Sequence, residues 1–360
     1  MAASTTHPLT VAVDVNPATR AVVTGTENYT REVSSRLPAA APELSWRFFA
    51  SRPRANLGMD VMVIPFPRLW SQVRLPFALA RQRPDLLFVP GHVVPFGWPG
   101  RVVTVVHDLA FERHPDAYSF ADRAYLRMTT RWAVSRCRLL IAVSQSTKDD
   151  LVGLYGVKPD RVRVVPLGIS QHSATAAPSS HLSEMGLNGT FVLQVGRVER
   201  RKNQLAALAA VEKLEGVTLV IAGPERDPKL SDRLRNSSQC RVLGRVDPRL
   251  LELLYKRAAA VIVPSLYEGF GLPVLEAMAR GKVVVAANAS SLPEVGGEAV
   301  LYFHPGATAD QLAGIIDTAL KDKALRTQLA KLARARARRF TWDRTAAGVA
   351  AVIKETIASR

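Results

Sequence analysis

Two glutamates, Glu268 and Glu276, stand eight residues apart in the run Ser265-Leu-Tyr-Glu-Gly-Phe-Gly-Leu-Pro-Val-Leu-Glu-Ala-Met-Ala-Arg-Gly281. Between them lie a glycine-bracketed turn and Pro273, which fits the first helical position because a backbone N–H would have no partner there. Gly281 fits the far end of that helix, where a left-handed residue sits easily. Just upstream, Ala260–Val263 has the pattern of a buried strand. Strand, turn and helix in that order leave free backbone N–H groups at the positive end of a helix dipole, which is an anion site. The turn Gly269-Phe270-Gly271-Leu272 supplies the amides, and the two carboxylates can accept hydrogen bonds from hydroxyls. Anion donors flanked by hydroxyl acceptors suit a sugar joined to a nucleotide diphosphate.

A departing diphosphate needs positive charge where negative charge grows. Val195-Gly-Arg197-Val-Glu-Arg200-Arg201-Lys202-Asn203 supplies it: a strand ends at Gly196 and a basic loop leads into a helix. Arginine forks match phosphate oxygens, and lysine acts as a point charge. His107-Asp108 follows the apolar strand Arg101–Val106, at the edge where ligands of such folds bind. Near the N-terminus, Val23-Thr-Gly25-Thr-Glu-Asn-Tyr29 joins the first strand to the first helix, and Gly25 lets backbone approach a phosphate or sugar.

The Ser265–Gly281 run, with Asn288-Ala-Ser-Ser-Leu-Pro-Glu294-Val downstream, resembles the nucleotide-binding signature of the family 4 retaining glycosyltransferases (GT4). The bacterial, mannosyltransferase-like branch that builds envelope polysaccharides is the most similar. The resemblance covers nearly the whole chain and implies the GT-B fold, in which two doubly wound Rossmann-like α/β domains face each other across a cleft. It implies a hexosyltransferase that moves a hexose, mannose as the leading case, from a GDP- or UDP-linked donor to a glycan or lipid-linked acceptor. It assigns His107 to the transferred sugar near its reacting centre, donating a hydrogen bond or polarising. It places Arg197 and Lys202 on the diphosphate, with Arg201 as a substitute. Glu268 and the amides of Phe270 and Gly271 would hold the sugar and its phosphate, Glu276 the ribose hydroxyls, and Val246 the base. The chain departs from the family at two places: Thr26 and Glu27 follow Gly25 where a second glycine is usual, and Lys282 replaces a small or polar residue.

Retention is likewise implied by the resemblance. No carboxylate of the first half is placed as a nucleophile; Asp108 reads as orienting its loop. The acceptor hydroxyl would attack from the face the diphosphate leaves, and a phosphate oxygen would take its proton. No metal and no further cofactor are expected, since the protein's own cations stabilise the leaving group and no Asp-x-Asp pair occurs.

The elements that must position these residues alternate between β-rich runs and helical patterns, the signature of parallel sheets covered by helices. Strands are expected at 11–14, 46–49, 61–64, 86–89, 102–106, 139–143 and 162–165, then at 191–195, 217–222, 242–243, 260–263 and 283–286. Helices are expected near 122–137, 146–155, 203–214, 228–236, 249–258, 273–280, 309–320 and 323–339. A small, polar stretch at 168–185 reads as a linker. The expected domains are 1–168, onto which a last helix at 342–357 packs back, and 169–341, which carries the nucleotide sugar.

A chain of 360 residues with 48% hydrophobic content suits two ordinary domains and excludes a disordered class. Cys137 and Cys240 lack metal-ligand spacing and read as reduced, packed thiols. The first residues do not read as a signal peptide, and no apolar run approaches the roughly 20 residues of a membrane span. A cytoplasmic protein is expected, at most attached to the inner membrane face. The net charge of +17 leaves three partners open: nucleic acid, anionic substrate and anionic membrane. Residues 47–101 hold eight Arg against Asp60 and Asp85, interleaved with Phe66, Leu69, Trp70, Val73, Leu75, Phe77 and Leu79. Such a surface could lie on lipid headgroups or merely solubilise. The run Lys331–Arg339 reads as a solvated helix face. A nucleotide-sugar epimerase or hydrolase would keep the fold. A nucleic-acid-binding protein would need a module that is not found here, so nucleic acid is not an expected partner.

Overall fold

Val, Ile and Leu runs at both halves of the chain pair into two all-parallel sheets in the computed structural model, which describes residues 9–20, 25–54, 57–66, 69–170 and 175–359. The first sheet contains β1 (Thr10–Asp14), β2 (Ser45–Ala50), β3 (Val61–Val63), β4 (Leu86–Val89), β5 (Arg101–Val106), β6 (Leu140–Ala142) and β7 (Val162–Val164). Their order is β3-β2-β1-β4-β5-β6-β7. The second contains β8 (Thr190–Val195), β9 (Val217–Ala222), β10 (Cys240–Val242), β11 (Ala260–Val263), β12 (Val284–Ala287) and β13 (Leu301–Phe303), in the order β10-β9-β8-β11-β12-β13. Central strands are apolar and buried on both faces: every residue of β4, β11 and β12 is buried. Helices cover both faces, as a parallel sheet requires.

Each sheet reverses its strand order once, between β1 and β4 and between β8 and β11. Ligands of doubly wound sheets bind beyond the carboxyl ends of the strands at such a point. In the second sheet these two ends are Gly196–Lys202 and Ser265–Gly271.

The described residues form two compact units. One comprises 1–112, 118–168 and 341–360, the other 113–117 and 169–340. The helix Trp342–Ala358 packs on the helices Gly25–Ser34 and Leu37–Ala40 and on β5, so the first unit is closed by the last segment. Gly168 lies against that helix's start; a methyl group on it would stand 2.2 Å from the Trp342 nitrogen.

Several elements differ from expectation. Edge strand β13 is only three residues long and was too short to stand out. β10 begins at Cys240, two residues before the expected start. The expected linker contains a helical turn, Ser180–Glu184; its residues 171–174 lie outside the described residues. The arginine-rich segment holds a helix, Arg74–Gln82, with Leu75 and Leu79 buried. Trp70, Leu75 and Leu79 are core, whereas Phe66, Leu69, Val73 and Phe77 are exposed, and Arg68 lies outside the described residues. The basic run 331–339 is not wholly a solvated face. Arg336 donates to the Val295 carbonyl at 2.6 Å and to that of Glu294, and its guanidinium lies over Gly297. Cys137 and Cys240 are free and buried, and burial pushes their thiols up to about 12 and about 11.

Candidate active site

In the second unit the carboxyl ends of neighbouring strands are bare backbone. Gly196 follows β8 and Gly223 follows β9. A methyl group on Gly223, whose φ is 159°, would meet the Gly196 carbonyl oxygen at 2.0 Å. Close backbone approach is what only glycine permits here. The next residues form the basic loop. Lys202 is 9% exposed and its stem passes Gly196. Its Nζ donates to Glu268 Oε1, which also accepts from the Ser265 hydroxyl at 2.7 Å. Arg201 lies 3.3 Å from Glu268 Oε2 and 2.6 Å from Glu199 Oε1, and donates to the Tyr267 carbonyl at 2.6 Å.

Burial alone would raise the Glu268 carboxyl; the Lys202 and Arg201 charges and the two side-chain hydrogen bonds outweigh it and hold it below the ordinary range. The sequence left Glu268 free to accept from ligand hydroxyls. The structure corrects this: its carboxylate is 7% exposed and engaged by two cations and a serine. The Asn288-Ala-Ser-Ser segment fixes its backbone, with Ser290 Oγ accepting from the Glu268 N–H at 2.8 Å and Ser291 Oγ donating to its carbonyl at 2.9 Å.

The turn then enters the helix Leu272–Ala279, with Pro273 at its second rather than first position and Gly271 left-handed at φ 99°. Among the described residues, the amides of Phe270 and Gly271 donate to no acceptor, although both residues are buried. Buried unmade donors at a helix start are poised for an anion. Glu276, half-buried on that helix, accepts from the Tyr255 hydroxyl at 2.8 Å. Its carboxyl is raised chiefly by burial. Arg280 stacks 4.4 Å from the Tyr255 ring centre and pairs with Glu252 at 2.7 Å, locking the tyrosine. Tyr255 was not singled out in the sequence, where it reads as one apolar position of an amphipathic helix.

Arg197 is half-buried, and its carbonyl accepts from Gln204 at 2.7 Å. Val246 is half-buried beside Asp247, which caps the helix Pro248–Arg257. Lys282 has a structural role: its ammonium donates to the Lys256 and Ala258 carbonyls at 2.7 and 3.0 Å, closing that helix's C-terminus.

In the first unit His107 Nε2 lies 2.8 Å from the Pro90 carbonyl. A carbonyl only accepts, so Nε2 carries the proton and the neutral ring presents Nδ1 as an acceptor. Burial lowers the His107 pKa and favours that neutral form. Nε2 is thus engaged within the fold, and Nδ1 is the ring nitrogen left over. The Tyr29 ring meets it edge-on with centroids 4.9 Å apart. His92, at the end of β4, was missed. A lone histidine after Pro-Gly carries no periodic signal, yet it is held left-handed at φ 74° with Nε2 2.8 Å from Thr130 Oγ1. Gly25 opens the helix Gly25–Ser34; Val23 and Thr24 lie outside the described residues. Asp108 accepts from the Ala110 N–H at 3.0 Å, an orienting role. Glu112 accepts from Tyr155 at 2.8 Å and pairs with Arg127 at 3.0 Å.

Among the described residues no group of three His, Cys, Asp or Glu side chains could hold a metal ion, and no helix is long and apolar enough to cross a membrane.

Residues 23–172 match the family model described as Glycosyltransferase Family 4, and residues 184–336 match Glycosyl transferases group 1. The O-antigen chain mannosyltransferase B of Escherichia coli is 31% identical over 80% of this chain and 79% of its own length. The chain belongs to glycosyltransferase family 4. This glycosyltransferase is also 34% identical to the D-inositol 3-phosphate glycosyltransferase of Acidothermus cellulolyticus over 68% of its own length, but spans only 56% of that relative. Its GT-B fold is shared with sucrose-phosphate synthase from Thermosynechococcus elongatus, with TM-score 0.77, 20% identity, and coverage of 98% of this chain and 100% of that one. An Anabaena protein solved with UDP and glucose matches with TM-score 0.75 and 20% identity, over 96% of this chain and 100% of its own.

Proposed function

We propose that this glycosyltransferase moves a hexose, mannose from GDP-mannose as the leading case, to a glycan or lipid-linked acceptor, with retention and without a metal ion. The observation that carries the donor reading is the cluster of Lys202, Arg201 and Glu268 at the switch point of the second sheet, beside the unmade amides of Phe270 and Gly271. Mannose is supported by the mannosyltransferase among the relatives, and a nucleotide donor by the UDP seen in the Anabaena neighbour.

In this reading the diphosphate takes Lys202, Arg201 and Arg197 as its counter-charges, and the helix start at Leu272 receives a phosphate oxygen. Glu268 then acts as the partner that keeps the two cations aligned before the donor arrives. Glu276, set by Tyr255, accepts from the ribose hydroxyls, and Val246 lies against the base. His107 accepts from a hydroxyl of the transferred sugar. The bond from the anomeric carbon to the phosphate oxygen breaks with its electron pair on the diphosphate. The acceptor oxygen forms the new bond on the same face, and its proton passes to the departing phosphate oxygen. Fixed cations stabilise that oxygen as charge develops. The reaction would take place in the cytoplasm, at the inner face of the membrane when the acceptor is lipid-linked.

A thermal-shift panel of GDP, UDP, ADP and dTDP tests the donor reading. One nucleotide should raise the melting temperature, and Glu276→Ala should abolish most of that gain. Flat responses to all four would sink it.

A further inference from the structure

Every carbonyl from Arg197 to Lys202, the basic loop after β8, accepts a hydrogen bond. The Val198 oxygen takes the Arg226 and Asp227 N–H groups, both at 3.2 Å. Glu199 takes that of Lys202 at 2.9 Å, Arg200 that of Asn203 at 3.0 Å, and Arg201 that of Leu266 at 2.9 Å. These partners are backbone. The carbonyls at the two ends of the loop are taken by side chains instead. Gln204 Nε2 donates to the Arg197 oxygen at 2.7 Å, and Gln194 Nε2 donates to the Lys202 oxygen at 2.9 Å. Among the described residues, the amides of Arg197, Glu199 and Arg200 donate to no acceptor. The loop thus engages its acceptors within the unit and leaves donors unmade.

Both glutamines sit where burial disfavours them. Gln194 is 3% exposed and follows Phe191, Val192 and Leu193 in β8. Gln204 is 1% exposed and opens the helix Gln204–Val211. A carbonyl only accepts, so each NH₂ must face the loop and each Oε1 must face away from it. Neither Oε1 finds a partner among the described residues. A buried acceptor without a donor destabilises a fold. Two such oxygens, at both ends of one loop, are unexplained by packing. The loop they hold explains them: a carbonyl oxygen carries partial negative charge, and one left unbonded beside a phosphate repels it.

We propose that Gln194 and Gln204 are positioning residues for the diphosphate. They pin the carbonyls at both ends of the basic loop, so the loop meets the diphosphate with Arg197, Lys202 and unmade N–H groups rather than with oxygen. The inference rests on the transferase reading above and adds the residues that preset its cations. Gln194 acts through Lys202 and Gln204 through Arg197; neither touches the ligand. Charge fixed in advance stabilises a leaving group without reorienting as the bond breaks.

Gln194→Met and Gln204→Met preserve side-chain length while removing the amide donor and the unpartnered oxygen together. GDP, GMP and inorganic pyrophosphate are titrated calorimetrically into the full chain of wild type and each variant. GDP and pyrophosphate should bind each variant roughly fivefold more weakly than wild type. GMP, which lacks the second phosphate, should change by less than about twofold. The melting temperature without ligand should hold or rise, because each substitution also deletes an unmade buried acceptor. A contact that serves the fold alone gives the opposite pattern: melting falls, and GDP and GMP weaken in equal proportion. That pattern would overturn the proposal, as would wild-type GDP and pyrophosphate affinity in both variants. Gln194 lies in the sheet and Gln204 at a helix start, so either variant can be read where the other fails to fold. A wild-type chain that binds pyrophosphate but neither GDP nor UDP would count against the nucleotide donor alone, since the pyrophosphate comparison still reads both glutamines.

Discussion

Lys202 and Glu268 share a buried hydrogen-bonded ion pair although 66 residues separate them in the chain. Glu268 thus guards the cations in the absence of a donor. Removing one partner of a buried pair strands the other charge. Glu268→Gln should cost about 3 kcal/mol of stability without nucleotide. The same variant should show a larger GDP-induced melting shift than wild type, because the diphosphate replaces the missing charge. Lys202→Gln should do the reverse and lose most of the shift. A Glu268→Gln chain of normal stability that no longer responds to nucleotide would show that the carboxylate grips the ligand itself.

Tyr255 sets one oxygen of Glu276 at 2.8 Å; on the proposed reading the other would accept from a ribose hydroxyl. Tyr255→Phe should weaken nucleotide binding by about 1 kcal/mol, roughly fivefold. The loss should vanish for a 2′,3′-dideoxy nucleotide, which has no ribose hydroxyl to donate to Glu276. Equal losses for both ligands, by calorimetry, would assign Tyr255 to packing.

Gly223 and Gly196 approach so closely that there is no room for a methyl group between the ends of β8 and β9. Gly223→Ala should displace the Gly196–Arg197 loop, lower the melting temperature and remove the nucleotide response. Gly153, in the helix Gln145–Tyr155, has nothing within 4 Å of an added Cβ. Gly153→Ala should instead stabilise by roughly 0.5–1 kcal/mol.

His92 and His107 both carry pKa values lowered chiefly by burial; His92 falls to about 4, with the His107 charge adding to the fall and Asp108 opposing it, while Pro90, Asp108 and Glu27 partly offset the fall at His107. A histidine with a depressed folded pKa contributes stability above its unfolded value near 6.5. That contribution is lost as the pH falls toward 4. Denaturant melts should therefore show stability falling through this window. His92→Asn, which tolerates the left-handed backbone, should flatten part of the fall.

The strands were legible because both faces of a parallel sheet are buried, and runs such as Ala260–Val263 and Val284–Ala287 betray that without periodic ambiguity. The helix Arg74–Gln82 was missed because only Leu75 and Leu79 face the core, and two arginines and an internal proline interrupt the apolar pattern. At the site, the sequence located Glu268, Glu276, Lys202 and the glycine turn through local spacing. It could not show that Glu268 and Lys202 pair, since tertiary contact alone joins two loops so distant in the chain. Tyr255 and His92 escaped for the same reason: their partners Glu276 and Thr130 are 21 and 38 residues away.

Residues 341–358 complete a unit whose other parts end at Gly168. The second unit needs nothing beyond Phe340, and its two ends are tied by the bond from the Ile169 N–H to the Phe340 carbonyl at 3.1 Å. Translation therefore finishes the later-encoded unit before the earlier one, which waits with the β5 side of its sheet uncovered until Trp342, Val349 and Ile353 are made. A nascent chain halted at Phe340 would carry a finished second unit behind an unfinished neighbour, the stage most in need of a chaperone.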